Sequence, residues 1–387
     1  MIRVYITGFG KPKKETRYGD AQVISDGTNH LVIDGFCGDG TTKLIKGLKK
    51  NNMKKLYLLV SHWHDDHFVG IEKIINDSYF EVVKLYCQNP ASLKCGLNGT
   101  RYAGDVKECI NDGNRIIKAA KSKGSTVVYL QTGSKVQIGE IKFYVWRKQP
   151  TTLTSSDTHA WAFINDGSLC TYFPDLYYLT TGDGPDKISE AAAYFESICR
   201  LFKIPHHGNN CNLTQSRTMY DKYGARYAWY NDLEPNGIGT NEFTQYGAKR
   251  CKEVGINVID SIGDINLIAI GRKMRILHEG KEYIYTIPYN GKSTLKGATP
   301  EIVKAVFQGK YGSSDARITN LLDAGYDPTK VQTMINKVCN LAADIKSGKV
   351  NYGKGEERIN KIDAELGKGY GDLVQKQINV LYGKAKW

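Results

Sequence analysis

An α/β fold followed by a helical C-terminal region is predicted by three observations. Short apolar runs alternate with stretches of helical period over the first three quarters of the sequence, the rhythm of a sheet with helices packed outside it. Histidines and aspartates recur just past those apolar runs, where loops leaving a sheet converge. Near residue 295 the strand pattern stops, and from Thr299 onward the sequence is helical in period and repeats itself.

The opening residues, Met1-Ile2-Arg3-Val4-Tyr5-Ile6, read as a first strand and are too short and interrupted for the apolar core of a secretory signal. Residues 21–27 and 30–35 form a hairpin turning at Asp26-Gly27 and ending in the carboxylate of Asp34. A helix over 41–50, with a basic end suited to a helix C-terminus, leads to the continuous apolar strand 56–60. Beyond the histidine-rich stretch that follows, a helix begins at Gly70 and a strand covers 82–87. A helix over 110–123 and strands at 126–130, 141–146 and 161–165 come next. Residues 176–181 form a strand ending at Asp183, 189–199 a helix, and 201–204 a strand running into His206-His207.

Length and composition set the limits. A chain of 387 residues accommodates one domain of about 250 to 300 residues and something smaller. Its 41% hydrophobic content suits a soluble globular protein, and no apolar run approaches the roughly 20 residues needed to span a bilayer. Nine scattered cysteines without a C-x-x-C pair suit reduced thiols, so synthesis and folding in the cytoplasm without a signal peptide are expected. The formal net charge of +13 biases the surface toward anionic partners: nucleic acid, teichoic acid or an anionic wall.

The densest chemistry lies in Ser61-His62-Trp63-His64-Asp65-Asp66-His67, three histidines and two carboxylates directly past a strand. Imidazoles and a carboxylate on a tight loop can close around a borderline-soft cation such as zinc. His159, His206 and His207 supply further candidates, whereas His30 and His278 lie in structural settings. Tyr177 and Tyr178, beside the strand that ends at Asp183, are more readily packing residues than cleft lining.

H-x-H-x-D-H after a strand, a later histidine, the aspartate of Thr181-Gly182-Asp183 and the histidines of Ile204-Pro205-His206-His207-Gly208 together resemble the metallo-β-lactamase superfold. The resemblance is strongest to the branch containing competence-protein metal-hydrolase domains and phosphorylcholine esterases. It implies an αββα sandwich over residues 1–292 and two divalent metal ions, zinc or alternatively manganese. Carried over, His62, His64 and His159 bind one ion, Asp66, His67 and His207 the other, and Asp183 bridges them. Asp34 then orients a ligand histidine. His207 is taken as the ligand because the residue before glycine binds in related patterns. His206 is then free to contact substrate or protonate a leaving group, and with Asp66 it forms the expected catalytic pair.

After residue 299 the chain repeats. Gly309-Lys310, Tyr311-Gly312, Arg317-Ile318, Val331-Gln332 and Ile335-Asn336 match Gly348-Lys349, Tyr352-Gly353, Arg358-Ile359, Val374-Gln375 and Ile378-Asn379, with the offset drifting from 39 to 43. Each copy, 299–338 and 341–384, reads as a bundle of three short helices, in the first copy 302–308, 315–323 and 329–337. The copies resemble the cell-wall-binding repeats of some phage lysozymes. That resemblance implies muropeptide binding, with Arg317, Tyr326, Arg358 and Tyr370 as contacts.

The combined expectation is a dinuclear metal-dependent hydrolase directed to the bacterial cell wall. It cleaves a phosphodiester of teichoic acid or a phosphocholine decoration, or peptidoglycan itself as a phage lysin, after phage-mediated lysis delivers it to the wall. The alternative is a nuclease or cyclic-nucleotide phosphodiesterase of the same fold, which the charge favours but which leaves the repeats unexplained.

Overall fold

The computed structural model describes residues 2–6, 19–97, 103–148, 160–184, 188–195, 197, 199–208, 216–230, 246–260, 265–270, 273–278, 281–286, 296–313, 317, 320–321 and 324–387. The chain divides into two compact units, Met1–Tyr285 and Thr286–Trp387.

The first unit starts with β1 (Arg3–Ile6), β2 (Gln22–Ser25), β3 (His30–Ile33), α1 (Gly38–Lys50), β4 (Lys55–Leu59), α2 (Asp65–Asn76) and β5 (Glu81–Cys87). Next come α3 (Ala103–Ser122), β6 (Thr126–Tyr129), β7 (Lys135–Ile138), β8 (Ile141–Trp146), α4 (Ala160–Asp166), β9 (Cys170–Phe173) and β10 (Tyr178–Thr180). The unit continues through α5 (Ile188–Phe195), β11 (Leu201–Lys203), α6 (Ser216–Asp221), β12 (Tyr227–Tyr230), α7 (Tyr246–Glu253) and β13 (Asn257–Asp260). It closes with β14 (Ile265–Ile270), β15 (Lys273–His278) and β16 (Lys281–Thr286).

The strands form a nine-stranded sheet, ordered β16-β15-β14-β1-β2-β3-β4-β5-β6, and a seven-stranded sheet, ordered β13-β12-β11-β10-β9-β8-β7. Leu44, Leu48, Phe68, Ile71, Ile74, Val106 and Ile117 pack α1, α2 and α3 on the first sheet. Ala191, Ala192, Met219, Ala248 and Cys251 pack α5, α6 and α7 on the second. The opposite faces of the sheets meet, with Tyr86 and Phe143 rings 5.9 Å apart and Gln22 Nε2 donating to Thr180 Oγ1 at 2.9 Å. This is the αββα layering expected from the sequence. Each strand at its centre is covered on both sides, which explains why β4, with Leu56, Leu58 and Leu59 fully buried, is a continuous apolar run rather than an alternating one.

Two local expectations change, and a third, the packing role of Tyr178, holds. Residues 161–165, read as a strand, belong to the helix α4; a short apolar run is ambiguous in period, and this one lacks β-branched residues apart from Ile164. Helix α2 begins at Asp65, not Gly70, so the histidine cluster spans a loop and a first helical turn whose Asp65 and Asp66 suit the positive end of the helix dipole. Tyr178 is fully buried between the sheets, where its hydroxyl donates to Gln22 and accepts from Trp229 Nε1, so it packs and lines no cleft.

The second unit contains α8 (Pro300–Phe307), α9 (Pro328–Lys346), α10 (Gly355–Leu366) and α11 (Tyr370–Leu381). The helix expected over 315–323 falls partly outside the described residues. Helix α9 runs on well past residue 337, through the junction of the two sequence repeats. Both copies consequently share one core, in which Val303, Val331 and Val338 meet Ile362, Val374 and Ile378. Thr299 and Asp327 cap α8 and α9, each accepting from backbone N–H groups of the first turn, with Pro at the first helical position.

Candidate metal centre

Four loops carry the candidate side chains, and each leaves the C-terminal end of a parallel strand: Asp34 after β3, residues 61–67 after β4, Asp183 after β10, and His206-His207 after β11. Backbone lacing fixes them. Gly35 N donates to His67 O at 2.7 Å, Gly70 N to Phe36 O at 2.9 Å and Asp34 N to Leu59 O at 2.9 Å. The approach is close enough that a Cβ at Gly70 falls 1.7 Å from Gly35 O. Asp34, His206 and His207 all sit at positive φ (57°, 49° and 52°), a region that non-glycine residues hold only where surrounding structure imposes it.

Two groups of ligand atoms converge on one carboxylate. Asp183 Oδ2 stands 3.2 Å from His67 Nε2, 3.2 Å from His207 Nε2 and 3.9 Å from His62 Nε2. Asp66 closes the first group, with Oδ2 3.3 Å from His207 Nε2 and Oδ1 3.8 Å from His67 Nε2. His64 Nδ1 lies 3.1 Å from His62 Nε2 on the other side. Atoms bound at about 2.0 to 2.1 Å to a tetrahedral ion stand about 3.3 Å apart, so most of these separations match the edges of a coordination polyhedron. His67 Nε2 and His207 Nε2 are buried without a hydrogen-bond partner among the described residues, as nitrogens aimed at a cation are. The donor set therefore fits divalent metal. His62, His67, Asp183 and His207 are buried, whereas His64, Asp66 and His206 are partly exposed and mark the open side. His159 lies outside the described residues.

The histidines are oriented from behind. Asp34 accepts from Ser61 N and Ser61 Oγ at 2.7 Å each and from His67 Nδ1 at 2.9 Å. With its proton given to Asp34, Ser61 Oγ accepts from His62 Nδ1 at 3.0 Å, a network that assigns the lone pair of His62 to Nε2.

Two residues of this arrangement escaped the sequence reading. Asp20 places Oδ1 3.3 Å from His207 Nδ1, and Lys203 Nζ lies 2.5 Å from Asp20 Oδ2 and 3.5 Å from Asp183 Oδ1. Ligand-type atoms of Asp20, His67, Asp183 and His207 all lie within 4.8 Å of one another. Asp20 nevertheless belongs behind His207, because it faces the Nδ1 edge and is engaged by an ammonium. The one signal for Lys203 was a lysine inside the apolar strand Leu201-Phe202-Lys203-Ile204; Asp20 had only its place before a strand.

Electrostatics match the geometry. Burial lowers His62, aided by the neighbouring His67 and His64, so it is neutral. Burial also lowers His64 and His206. Burial opposes charge on His67 and His207 as well, but the carboxylates around them, Asp183 foremost, outweigh it and push both well above the usual imidazole range. Burial would raise Asp66, yet His67 and His207 hold it at about 2. The carboxylates thus draw positive charge into the cluster, the role a divalent ion fills when ligand histidines give up their protons.

In the second unit the predicted arginines occupy equivalent places. Arg317 donates to Gly312 O and Gln332 Oε1, both at 3.3 Å, and Arg358 to Gly353 O at 2.9 Å and Gln375 Oε1 at 3.1 Å. Tyr326 is partly exposed, with Lys296 Nζ 5.8 Å from its ring centre. Tyr370 corrects the expectation of a wall contact: only 5% exposed, it belongs to the shared core.

A family model described as the CW_7 repeat matches residues 300–339, so a cell-wall-binding repeat lies near the C-terminus. No curated protein matches the chain in sequence. Among solved structures, the chain is similar to the metallo-β-lactamase fold protein YhfI from Bacillus subtilis, at 12% identity and a TM-score of 0.43 over 68% of this chain and 99% of that one. It is also similar to Igni18, a metallo hydrolase from Ignicoccus hospitalis, at 12% identity and a TM-score of 0.39 over 69% of this chain and 100% of that one. The molecule combines an αββα unit holding a candidate metal centre with a helical unit that contains a CW_7 repeat. Among the described residues, no helix is long and apolar enough to cross a membrane.

Proposed function

We propose that the chain is a dinuclear metal-dependent hydrolase directed to the bacterial cell wall, acting on a phosphodiester of teichoic acid or a phosphocholine decoration, or on peptidoglycan. The supporting observation is the position of Asp183 Oδ2, within 3.2 to 3.9 Å of nitrogens from both groups, His67 and His207 on one side and His62 on the other. His62 and His64, with His159, would hold one ion; Asp66, His67 and His207 would hold the second; Asp183 would serve both. When bound, two divalent ions, zinc or manganese, would supply Lewis-acid polarisation of the bond under attack and a lowered pKa of water.

The remaining chemistry falls to the chain. Asp34 and Ser61 hold His67 and His62 in the ligand tautomer, while Asp20, 3.3 Å from His207 Nδ1, and Lys203, 3.5 Å from Asp183 Oδ1, set complementary charge behind His207 and Asp183. His206, neutral and on the open side, is placed to contact substrate, or to take a proton from the attacking water and pass that proton to the leaving group. Arg317, Tyr326 and Arg358 are the wall contacts, and tethering to the polymer raises the local concentration of scissile bonds. Phage-mediated lysis is the route to the wall. Incubation with sacculi, purified teichoic acid and single-stranded DNA, with products identified by mass, tests this reading. Release of wall fragments supports it. Nucleotides as the sole product would replace it with the nuclease reading, which the net charge of +13 favours.

A further inference from the structure

The two copies in the helical unit share a framework but differ in charge. Gly312 O, Arg317, Gln332 and Asn336 in the first copy form the same chain of contacts as Gly353 O, Arg358, Gln375 and Asn379 in the second, closed by Gln332 Nε2 to Asn336 Oδ1 at 2.9 Å and Gln375 Nε2 to Asn379 Oδ1 at 3.2 Å. Around the second network lies a cleft of about 330 Å³ whose lining includes Lys346, Lys354, Arg358 and Lys384 and no carboxylate. At the positions matching the three lysines, the first copy has Phe307, Ser313 and Leu341. Phe307 is stacked on Trp387, with ring centres 4.3 Å apart, so that position is apolar and covered.

None of the four cations is paired with a carboxylate among the described residues. Lys346 donates to Leu381 O at 2.6 Å, and the ammonium groups of Lys346 and Lys384 lie 5.1 and 5.6 Å from the ring centre of Tyr382. Arg358 is held rigid by Gly353 O and Gln375, which presents a fixed guanidinium among mobile, strongly hydrated point charges. Four positive charges around one polar cleft oppose one another unless an anion joins them, and a single carboxylate leaves most of that charge unanswered. A chain of phosphates does not.

We propose that the cleft at Arg358 is an anion site that takes phosphodiester groups of a polyanionic wall polymer of the teichoic acid class, while the first copy, with Arg317 as its one matching cation, lacks this preference. The inference rests on the wall-directed reading of the helical unit and specifies its ligand.

The test uses the full chain in EDTA, co-sedimented with Gram-positive sacculi carrying teichoic acid and with the same sacculi stripped by hydrofluoric acid. Lys354 and Lys384 are exposed, so the double variant Lys354→Ser/Lys384→Gln should unfold at the wild-type temperature. On intact sacculi the variant should bind at least about tenfold more weakly, and the difference should vanish on stripped sacculi and shrink in high salt. Equal binding of variant and wild type to intact sacculi overturns the proposal. So does an equal loss on stripped sacculi, which assigns the cleft to peptidoglycan carboxylates. Wild-type binding to stripped sacculi reads out the wall-directed function separately: its survival beside either negative result removes only the phosphodiester assignment, and its absence together with no binding to intact sacculi removes both.

Discussion

Lys203 Nζ lies 2.5 Å from Asp20 Oδ2, an ion pair in which both side chains are about 1% exposed and which stands directly behind the proposed metal ligands. Burial opposes the charge on Lys203, but Asp20 and Asp183 outweigh it and raise its pKa, so the lysine is a fixed cation between two carboxylates. Removing one partner of a buried pair strands the other. Lys203→Met is expected to destabilise the metal-free first unit by about 3 to 5 kcal/mol. Metal should restore part of the loss, since added divalent charge compensates Asp183. Urea unfolding of both proteins with EDTA and with zinc measures this, and an unchanged midpoint in EDTA removes Lys203 from the scaffold of the site.

Asp34 makes three contacts within 2.9 Å, two to Ser61 and one to His67 Nδ1, and no other described side chain fixes the His67 tautomer so directly. Asp34→Ala should weaken metal affinity about 10- to 100-fold, the usual effect of deleting a carboxylate behind a ligand histidine. Competition against a chromophoric chelator gives the number. Wild-type affinity in the variant would falsify the orienting role.

These two residues show what was legible in the sequence and what was not. Asp34 and the strand-end histidines could be read because each lies just past a recognisable apolar run, and local pattern carries that information. Asp20 and Lys203 could not be paired by eye. Their contact joins the two sheets, and neither residue is informative without the other. The alternation of strands and helices followed from periodicity and the αββα layering from the resemblance carried by the histidine motifs, whereas α4 was missed because its apolar run is too short to show a helical period. In the second unit the repeat was visible as matching letters. That α9 crosses the repeat junction and that Tyr370 is buried depended on packing between the copies, which matching letters do not record.

Metal content should follow the division of ligands around Asp183. Wild-type protein refolded in excess zinc and then desalted should retain about two ions per chain, and His207→Ala or His62→Ala about one. Asp183→Ala, which removes the atom shared by both groups, should retain less than either single variant. Plasma emission spectrometry on desalted protein decides, and one ion per chain in the wild type would reduce the centre to a mononuclear one.

Asp26 gives the hairpin between β2 and β3 a defined dependence on pH. Burial is the largest single influence and raises its pKa, but N–H groups of Thr28, Asn29 and Glu140, at 2.9, 2.7 and 3.0 Å, together outweigh it and hold it at about 2. The folded value lies below the unfolded one, so the ionised form favours the fold. Its contribution is complete above about pH 4 and is lost as pH falls toward 2. The stability gap between wild type and Asp26→Asn should therefore be constant from pH 7 to 5 and narrow as pH falls from 4 to 2. Denaturant midpoints across that range check the sign, and a gap that widens on acidification contradicts it.

Two glycines of the first unit should respond to alanine in opposite directions. Gly70 in α2 packs against the loop that carries Asp34, and a Cβ there falls 1.7 Å from Gly35 O, a backbone atom that cannot rotate away. Alanine must push the loop off the helix, costing about 1 to 3 kcal/mol or more by overpacking and displacing Asp34 from His67. Gly47 lies inside α1, and a Cβ there meets nothing within 4 Å. Gly47→Ala should add about 0.5 to 1 kcal/mol of stability through helix propensity alone. Thermal unfolding and zinc affinity measured together separate the two effects. Gly47→Ala should raise the melting temperature and leave zinc affinity unchanged, whereas Gly70→Ala should lower both, because the same close approach that seats the helix also aims the His67 ligand.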